Sequence, residues 1–237
     1  MRAAYERLTS ILSDPDECGM SALDCIYEIM ENEVRRRDSN ALARRLKEAK
    51  ICLPNARPDT IDFSIERGLD KNKIDALLTM RWMEEHQNII ITGAAGCGKT
   101  FLACALVNQA CIKGRTARVV RVPLLLNQMA ASHQIVETYF KKLKEMKTID
   151  LLVLDDWGIG QLDARSRQDL LEIINERYMY ASTIVTSVLP VNKWSEYIND
   201  TTYSDAILDR LVSVSHRVEL NGASVRQMKE YGAVLKE

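Results

Sequence analysis

At Gly93–Thr100 the chain reads GAAGCGKT, a full match to G-x-x-x-x-G-K-[ST]. It follows the β-prone run NIIIT and opens the helix-prone run FLACALVNQACIK, the context in which this spacing binds phosphate. Glycines let successive backbone N–H groups curl around phosphate oxygens, and a helix N-terminus adds partial positive charge. Lys99 would span the β and γ phosphates of a nucleotide, and Thr100 would offer its hydroxyl to Mg²⁺. The phosphate-side set is therefore Gly93, Ala94, Ala95, Gly96, Cys97, Gly98, Lys99, Thr100 and Phe101. A second motif, LLVLDD at 151–156, is a strand whose end brings Asp155 near the loop, where a carboxylate can hold a metal hydration shell. Asp156 beside it can polarise an attacking water as general base. The plainer alternative is that the two aspartates start a loop or cap the next helix. Trp157 is expected to anchor packing rather than stack on a base.

These groups need a scaffold. From residue 88 onward short β-rich runs alternate with longer helical segments: NIIIT, a helix near 99–113, ARVVRV, one helix through 123–146, LLVLD, a helix through 163–180, STIVTS, two short helices and HRVEL. Apolar strands alternating with helices predict an α/β fold, a five-stranded parallel sheet covered on both faces. Only 17 residues follow HRVEL, too few for a full helical lid. Upstream, Leu23, Ile26, Tyr27, Met30 and Val34 mark the stripe of an amphipathic helix opened by Ser21, with Asp24 three residues on. Leu42, Leu46 and Ala49 continue helical spacing, and the prolines of LPNARPD at 53–59 should end it. The expected division is a helical region with linker over 1–58 and the nucleotide-binding domain over 59–237.

Composition sets the limits. The 237 residues are 46% hydrophobic and 27% charged, with 15 Gly plus Pro, which excludes a disordered or collagenous chain. A net charge of −1 argues against a polyelectrolyte binder but not against a local basic face. Residues 1–34 sum to −6 and 35–57 to +6. The cysteines at 18, 25, 52, 97, 104 and 111 include no C-x-x-C pair and no zinc spacing, so they read as reduced thiols of a cytoplasmic protein. The seven-residue spacing of Cys97, Cys104 and Cys111 is explained more simply by core packing than by redox control. No signal peptide or membrane span is apparent, and His86, His133 and His216 are scattered, with no catalytic or metal role assigned.

Taken in order, LARRLKEAK at 42–50, RGLDKN at 67–72, WMEEHQNIIITG, LLVLDDWG, STIVTSVLPVNKW at 182–194, SDAILDRLV and SHRVELNGASVRQ resemble the IstB-like AAA+ ATPases that assist insertion-sequence transposases. These are also similar to DnaC-type helicase loaders. The resemblance implies a three-layer α/β/α P-loop NTPase preceded by a small helical domain, ATP and Mg²⁺ as cofactors, Lys99 and Asp156 as catalytic residues, and Thr100 and Asp155 at the metal. An aspartate pair is what this subfamily uses at 155 and 156. Arg210 in ILDRL resembles an arginine finger acting on a neighbour's γ-phosphate, which implies a homo-oligomer with intersubunit ATP sites. Without the resemblance Arg210 is an exposed helical arginine paired with Asp209 or Asp205. Arg226 would approach a neighbouring nucleotide. One departure stands out: the family ends its sensor strand on a polar residue, often Asn or Gln, where this chain has Val188. Either Thr186 or Ser187 substitutes, or hydrolysis is impaired.

Arg35, Arg36, Arg37, Arg44, Arg45, Lys47 and Lys50 form the densest basic cluster, with 37, 44 and 47 on one helical face. On composition alone it is either a phosphate-tracking surface, a solvated face, or a partner for the acidic 14–33 segment of a neighbour. The resemblance favours duplex DNA, and the lack of a base-reading motif implies low sequence specificity. The expected function is an ATP-dependent DNA-binding factor that assists a cognate transposase, with a helicase loader as the alternative. A small-molecule P-loop kinase, or an ATP binder that does not hydrolyse, are the rivals from other classes.

Overall fold

The computed structural model describes residues 2–13 and 21–222. The chain divides into two compact units, Met1–Lys47 and Glu48–Glu237. In the first, α1 (Arg2–Ser13) is tied to α2 (Ala22–Glu48) by an ion pair from Arg7 to Glu28 at 2.6 Å. Ser21 caps α2 as its sequence suggests, accepting from Asp24 N at 3.2 Å and donating to the Asp24 carboxylate at 2.6 Å. The apolar stripe of α2 is not a core: Leu23, Ile26, Tyr27, Met30 and Val34 are each more than half exposed.

The second unit begins ahead of the prolines. Ala49 and Ala56 are fully buried, and Val119 N donates to Ala49 O at 2.8 Å, so the 53–59 stretch is part of this body rather than a boundary. Next come α3 (Lys71–Leu78), α4 (Arg81–Glu84), β1 (Asn88–Gly93), α5 (Lys99–Ile112), β2 (Ala117–Arg121), α6 (Val122–Ser132), α7 (Val136–Thr148), β3 (Leu151–Trp157), α8 (Ala164–Arg177), β4 (Ser182–Ser187), α9 (Trp194–Ile198), α10 (Thr201–Val212) and β5 (Ser215–Leu220). The five strands are parallel in the order β2-β3-β4-β1-β5. Strand alternation splits the core: Ile90, Leu152, Leu154 and Val185 join the α6, α7, α8 and α10 side, while Ile89, Ile91, Leu151, Val153 and Ile184 face the opposite layer, where α5 is buried nearly all round.

The single helix expected over 123–146 is two helices, because Ile135 is extended (φ −131°, ψ 106°) between α6 and α7. The turn is fixed by His133, whose Nε2 lies 2.9 Å from a carboxylate oxygen of the buried Asp169 on α8 and whose ring stacks on Tyr139. Trp157 is a packing anchor, fully buried with its ring centroid 5.2 Å from that of Trp194. Arg226 and the C-terminal stretch on which the lid expectation rests lie outside the described residues. Among the described residues no helix is long and apolar enough to cross a membrane.

Candidate nucleotide site

β1 ends where the phosphate loop must start, and its last residue makes a branch impossible. A Cβ on Gly93, at φ +149°, would lie 2.2 Å from Leu220 O and 2.9 Å from Cys97 Sγ. Gly96 and Gly98 also have positive φ, at 81° and 102°, which supplies the curled backbone that exposes N–H groups to an anion. Lys99 opens α5, nine-tenths buried, and its Nζ donates to Gly93 O and Ala94 O at 2.8 Å each. The ammonium is thereby laid across the mouth of the loop, and the donor set fits a nucleotide's phosphates. Cys97, Cys104 and Cys111 are fully buried, as the packing reading expects. Burial pushes the Cys104 thiol up to about 12, and its sulfur sits 3.7 Å from that of Cys52.

β3 runs parallel to β1 with β4 between them, so Asp155 emerges at the same end of the sheet. Thr100 Oγ1 donates to Asp155 Oδ1 at 2.9 Å, joining the two residues expected at the metal. A hydroxyl and a carboxylate in contact, beside an anion cradle, suit Mg²⁺ that takes its remaining ligands from phosphate and water. Thr186 on β4 donates to the same carboxylate oxygen and accepts from Asp156 N at 3.3 Å. Ser187 is used otherwise, donating to Trp157 O at 2.7 Å, and Val188 is 42% exposed. Of the two polar candidates for the sensor strand, Thr186 is the one that touches the Asp155 carboxylate, and it also holds the main-chain N–H of Asp156.

Asp156 follows at φ +61°, a conformation that aims its side chain away from the strand's alternation. Its carboxylate accepts from Arg121 Nε at 2.6 Å. The sequence reading missed Arg121, although a residue closing ARVVR had to leave a parallel sheet at the end where LLVLDD leaves it. It also missed the residues upstream: a cavity of about 290 Å³ is lined by Leu53, Thr60, Asp62, Ile65 and Arg67 together with Gly96, Gly98, Lys99, Thr100 and Phe101. LPNARPD at 53–59 and RGLDKN from Arg67 read as a chain break and as part of the resemblance, and neither spacing points to a cavity beside the loop.

Arg210 stands at the far end. Asn88, the first residue of β1, donates from Nδ2 to Arg210 O at 3.1 Å and accepts Thr183 N at 2.9 Å. The Arg210 guanidinium donates to Ala206 O at 2.7 Å and lies 5.7 Å from the Tyr178 ring centroid; neither Asp205 nor Asp209 holds it. In the basic cluster, Arg35 pairs with Glu31 at 2.7 Å and Arg37 with Glu33 at 3.0 Å, whereas Arg44 and Lys47 are exposed along α2. Arg36 and Arg45 are half-buried, and Lys50 belongs to the second unit, off the helix.

A parallel sheet in this order, with a phosphate loop after β1 and an aspartate pair near the end of β3, defines an AAA+-like P-loop nucleotide-binding protein. The chain belongs to the IstB-like ATP binding protein family, whose model matches residues 1–233. It is 39% identical over 219 residues to the putative insertion sequence ATP-binding protein y4pL of Sinorhizobium fredii, covering 92% of this chain and 89% of that one. It is 29% identical to the putative ATP-binding protein Rv3427c in an insertion sequence of Mycobacterium tuberculosis, over 89% of this chain and 83% of that one. Among solved structures it superposes on the DnaC helicase loader with a TM-score of 0.60 at 19% identity, covering 71% of this chain and 98% of that one. It superposes on AMPPCP-bound DnaA from Aquifex aeolicus with a TM-score of 0.58, also at 19% identity, covering 78% and 56%. At such identities the likeness is one of fold.

Proposed function

We propose that the chain is an Mg²⁺-dependent ATPase that assembles through ATP on duplex DNA with little sequence preference and there assists its transposase. The observation that carries the reading is the separation of Arg210 from the phosphate loop. Arg210 sits against the first residue of β1 and the loop follows its last, Gly93, so about 16 Å of strand lies between them at roughly 3.3 Å per residue. The side chain is too short to return to its own nucleotide, and a neighbouring copy supplies the natural target. Bound Mg²⁺ would offset charge on the phosphates; Thr100 and Asp155 hold it, Lys99 binds the phosphates, and Asp156 accepts a proton from water. The helical first unit, 1–47, serves as the DNA and partner-binding part, and the second, 48–237, as the ATPase domain. Arg44 and Lys47 on the exposed face of α2 suit backbone phosphates, and the insertion-sequence relatives support a transposase as the partner.

The mass of complexes formed on a random-sequence duplex tests this. Large assemblies are expected with ATP, small ones with ADP, and none with Lys99→Ala; Arg210→Ala is expected to bind ATP but fail in turnover and assembly. Small species free of DNA in both nucleotides, or an Arg210→Ala protein that assembles and turns over normally, would overturn the reading.

A further inference from the structure

Two thiols that the nucleotide chemistry does not use lie against each other in the second unit. Cys52 Sγ is 3.7 Å from Cys104 Sγ, although the two residues are 52 positions apart in the chain. Of the described cysteines Cys52 alone is exposed. It stands in the irregular stretch between α2 and the prolines of 53–59, and lines a cavity of about 440 Å³ along β2 with Lys50, Arg118 and Arg121. Cys104 is fully buried on α5, one turn beyond Thr100. Its seven-residue spacing from Cys97 and Cys111 accounts for its burial and says nothing of Cys52.

The two sulfurs differ in what can reach them. An oxidant in solution meets Cys52 directly, whereas Cys104 offers no exposed surface. Burial also pushes the Cys104 thiol up to about 12, so it keeps its proton and does not compete for the oxidant. A disulfide needs an S–S separation of about 2.05 Å, so the sulfurs must close by less than about 2 Å. Helix α5 is buried nearly all round and cannot supply that movement. The 50–53 stretch can, since it is neither helix nor strand and Lys50 stands at φ +51°. Ala49 and Ala56, fully buried on either side, anchor the stretch so that Cys52 stays within reach of its partner.

We propose that Cys52 and Cys104 form a modification site for hydrogen peroxide, in which Cys52 is the thiol oxidised and Cys104 the thiol that resolves it into a disulfide. The Cys52 sulfur, as thiolate, attacks one peroxide oxygen; the O–O bond breaks, Cys52 becomes a sulfenic acid, and the departing oxygen takes up the thiol proton as water. The Cys104 sulfur then attacks that of Cys52: S–S forms, S–O breaks, and hydroxide leaves with the Cys104 proton as a second water. Two thiols together lose two electrons and two protons, and one peroxide is reduced to two waters. The bond staples the 50–53 stretch to the helix that carries Lys99 and Thr100. Lys99 is held by loop carbonyls and Thr100 by Asp155, bonds that do not run through Cys52, so the staple adds stability and leaves the nucleotide site in place.

The full chain would be treated with hydrogen peroxide, digested without reduction and mapped by mass spectrometry, with Tm and ATP affinity measured before and after. A peptide pair joined through Cys52 and Cys104 is expected, two hydrogens lighter than its reduced parts. Tm should rise by about 5 °C or more, ATP affinity should stay within about twofold, and dithiothreitol should reverse the bridge and the Tm gain. Cys52→Ser, at an exposed position, is expected to fold and to lose both. Cys104→Ala should let the Cys52 sulfenic acid accumulate for capture by dimedone; if that variant fails to fold, the wild-type map and Cys52→Ser decide. Cys52 recovered as a sulfinic acid, or bridged to any cysteine other than Cys104 or to a second chain, overturns the assignment, as does peroxide oxidation of Cys104 in Cys52→Ser. A bridge that forms without a gain in Tm, or at the expense of ATP affinity, would overturn the stapling role.

Discussion

Arg121 Nε donates to Asp156 Oδ2 at 2.6 Å, joining the last residue of β2 to the carboxylate proposed as general base. The contact raises the affinity of Arg121 for its proton, since the guanidinium gains a bonded anion. For Asp156 the consequence is the reverse of activation, because lone pairs committed to a guanidinium are not offered to water. Arg121 is 65% exposed at its side chain, so the pair is open to competition from another anion, such as a DNA phosphate.

The expected result is that Arg121→Ala raises DNA-independent ATP turnover about threefold or more, by freeing Asp156. Asp156→Asn should remove turnover while leaving ATP affinity within about threefold. Steady-state phosphate release with and without duplex DNA checks both; an Arg121→Ala protein as slow as the wild type without DNA would show that the pair does not restrain the base.

Much of this arrangement was legible in the sequence. The loop GAAGCGKT and the run LLVLDD each carry their chemistry within a few residues, and parallel strands bring their ends together wherever the helices between them lie. The contact of Arg121 was not legible because it comes from tertiary approach: the side chain crosses from a neighbouring strand to Asp156. The stripe of Leu23, Ile26 and Tyr27 shows the opposite limit, since helical periodicity reports an amphipathic face without saying whether anything covers it. The break between α6 and α7 was hidden for a related reason: no Gly or Pro marks it, and the turn is held by His133 on Asp169, a contact 36 residues apart.

Thr186, and not Val188, is hydrogen-bonded to the Asp155 carboxylate. Its hydroxyl donates to Asp155 and accepts from Asp156 N, so Thr186→Val removes both bonds at nearly constant volume. Turnover is expected to fall about tenfold with ATP affinity held within about threefold, because orientation of the carboxylates is lost and the loop is not. Val188→Ala, at a 42% exposed position, should leave turnover unchanged. Matching losses in the two variants would return the sensor role to position 188.

The glycines of the chain differ in what a methyl group would meet. Gly93→Ala drives a Cβ to 2.2 Å from a backbone oxygen that cannot retreat without parting β5 from β1. Loss of about 3 kcal/mol or more, with loss of ATP binding, is expected. At Gly160, with φ +88° and nothing within 4 Å, alanine meets only the conformational cost of about 1–2 kcal/mol. Urea denaturation of the two variants measures the contrast directly, and equal destabilisation would mean that backbone strain, not the approach of Leu220, sets the constraint at Gly93.

Arg177 is a buried cation whose bonds are all structural. It is 2% exposed at the end of α8, where Nη1 donates to Met146 O and Ile149 O, Nη2 to Ser182 O, and Nε to Thr183 Oγ1 at 3.1 Å. Every nitrogen has an acceptor, and those acceptors belong to the end of α7, the turn before β3 and the start of β4. The guanidinium therefore closes the entry end of the sheet instead of awaiting a ligand. Arg177→Met fills similar volume but leaves three buried carbonyls without that donor, and a loss of about 3–5 kcal/mol is expected. Because the site lies at the opposite end of the strands from Gly93, ATP affinity of the folded fraction should be unchanged. Parallel measurement of Tm and ATP affinity checks this: Arg177→Met is expected to lower the first and leave the second, and an Arg177→Met protein with normal Tm would mean that water replaces the lost donor at no cost.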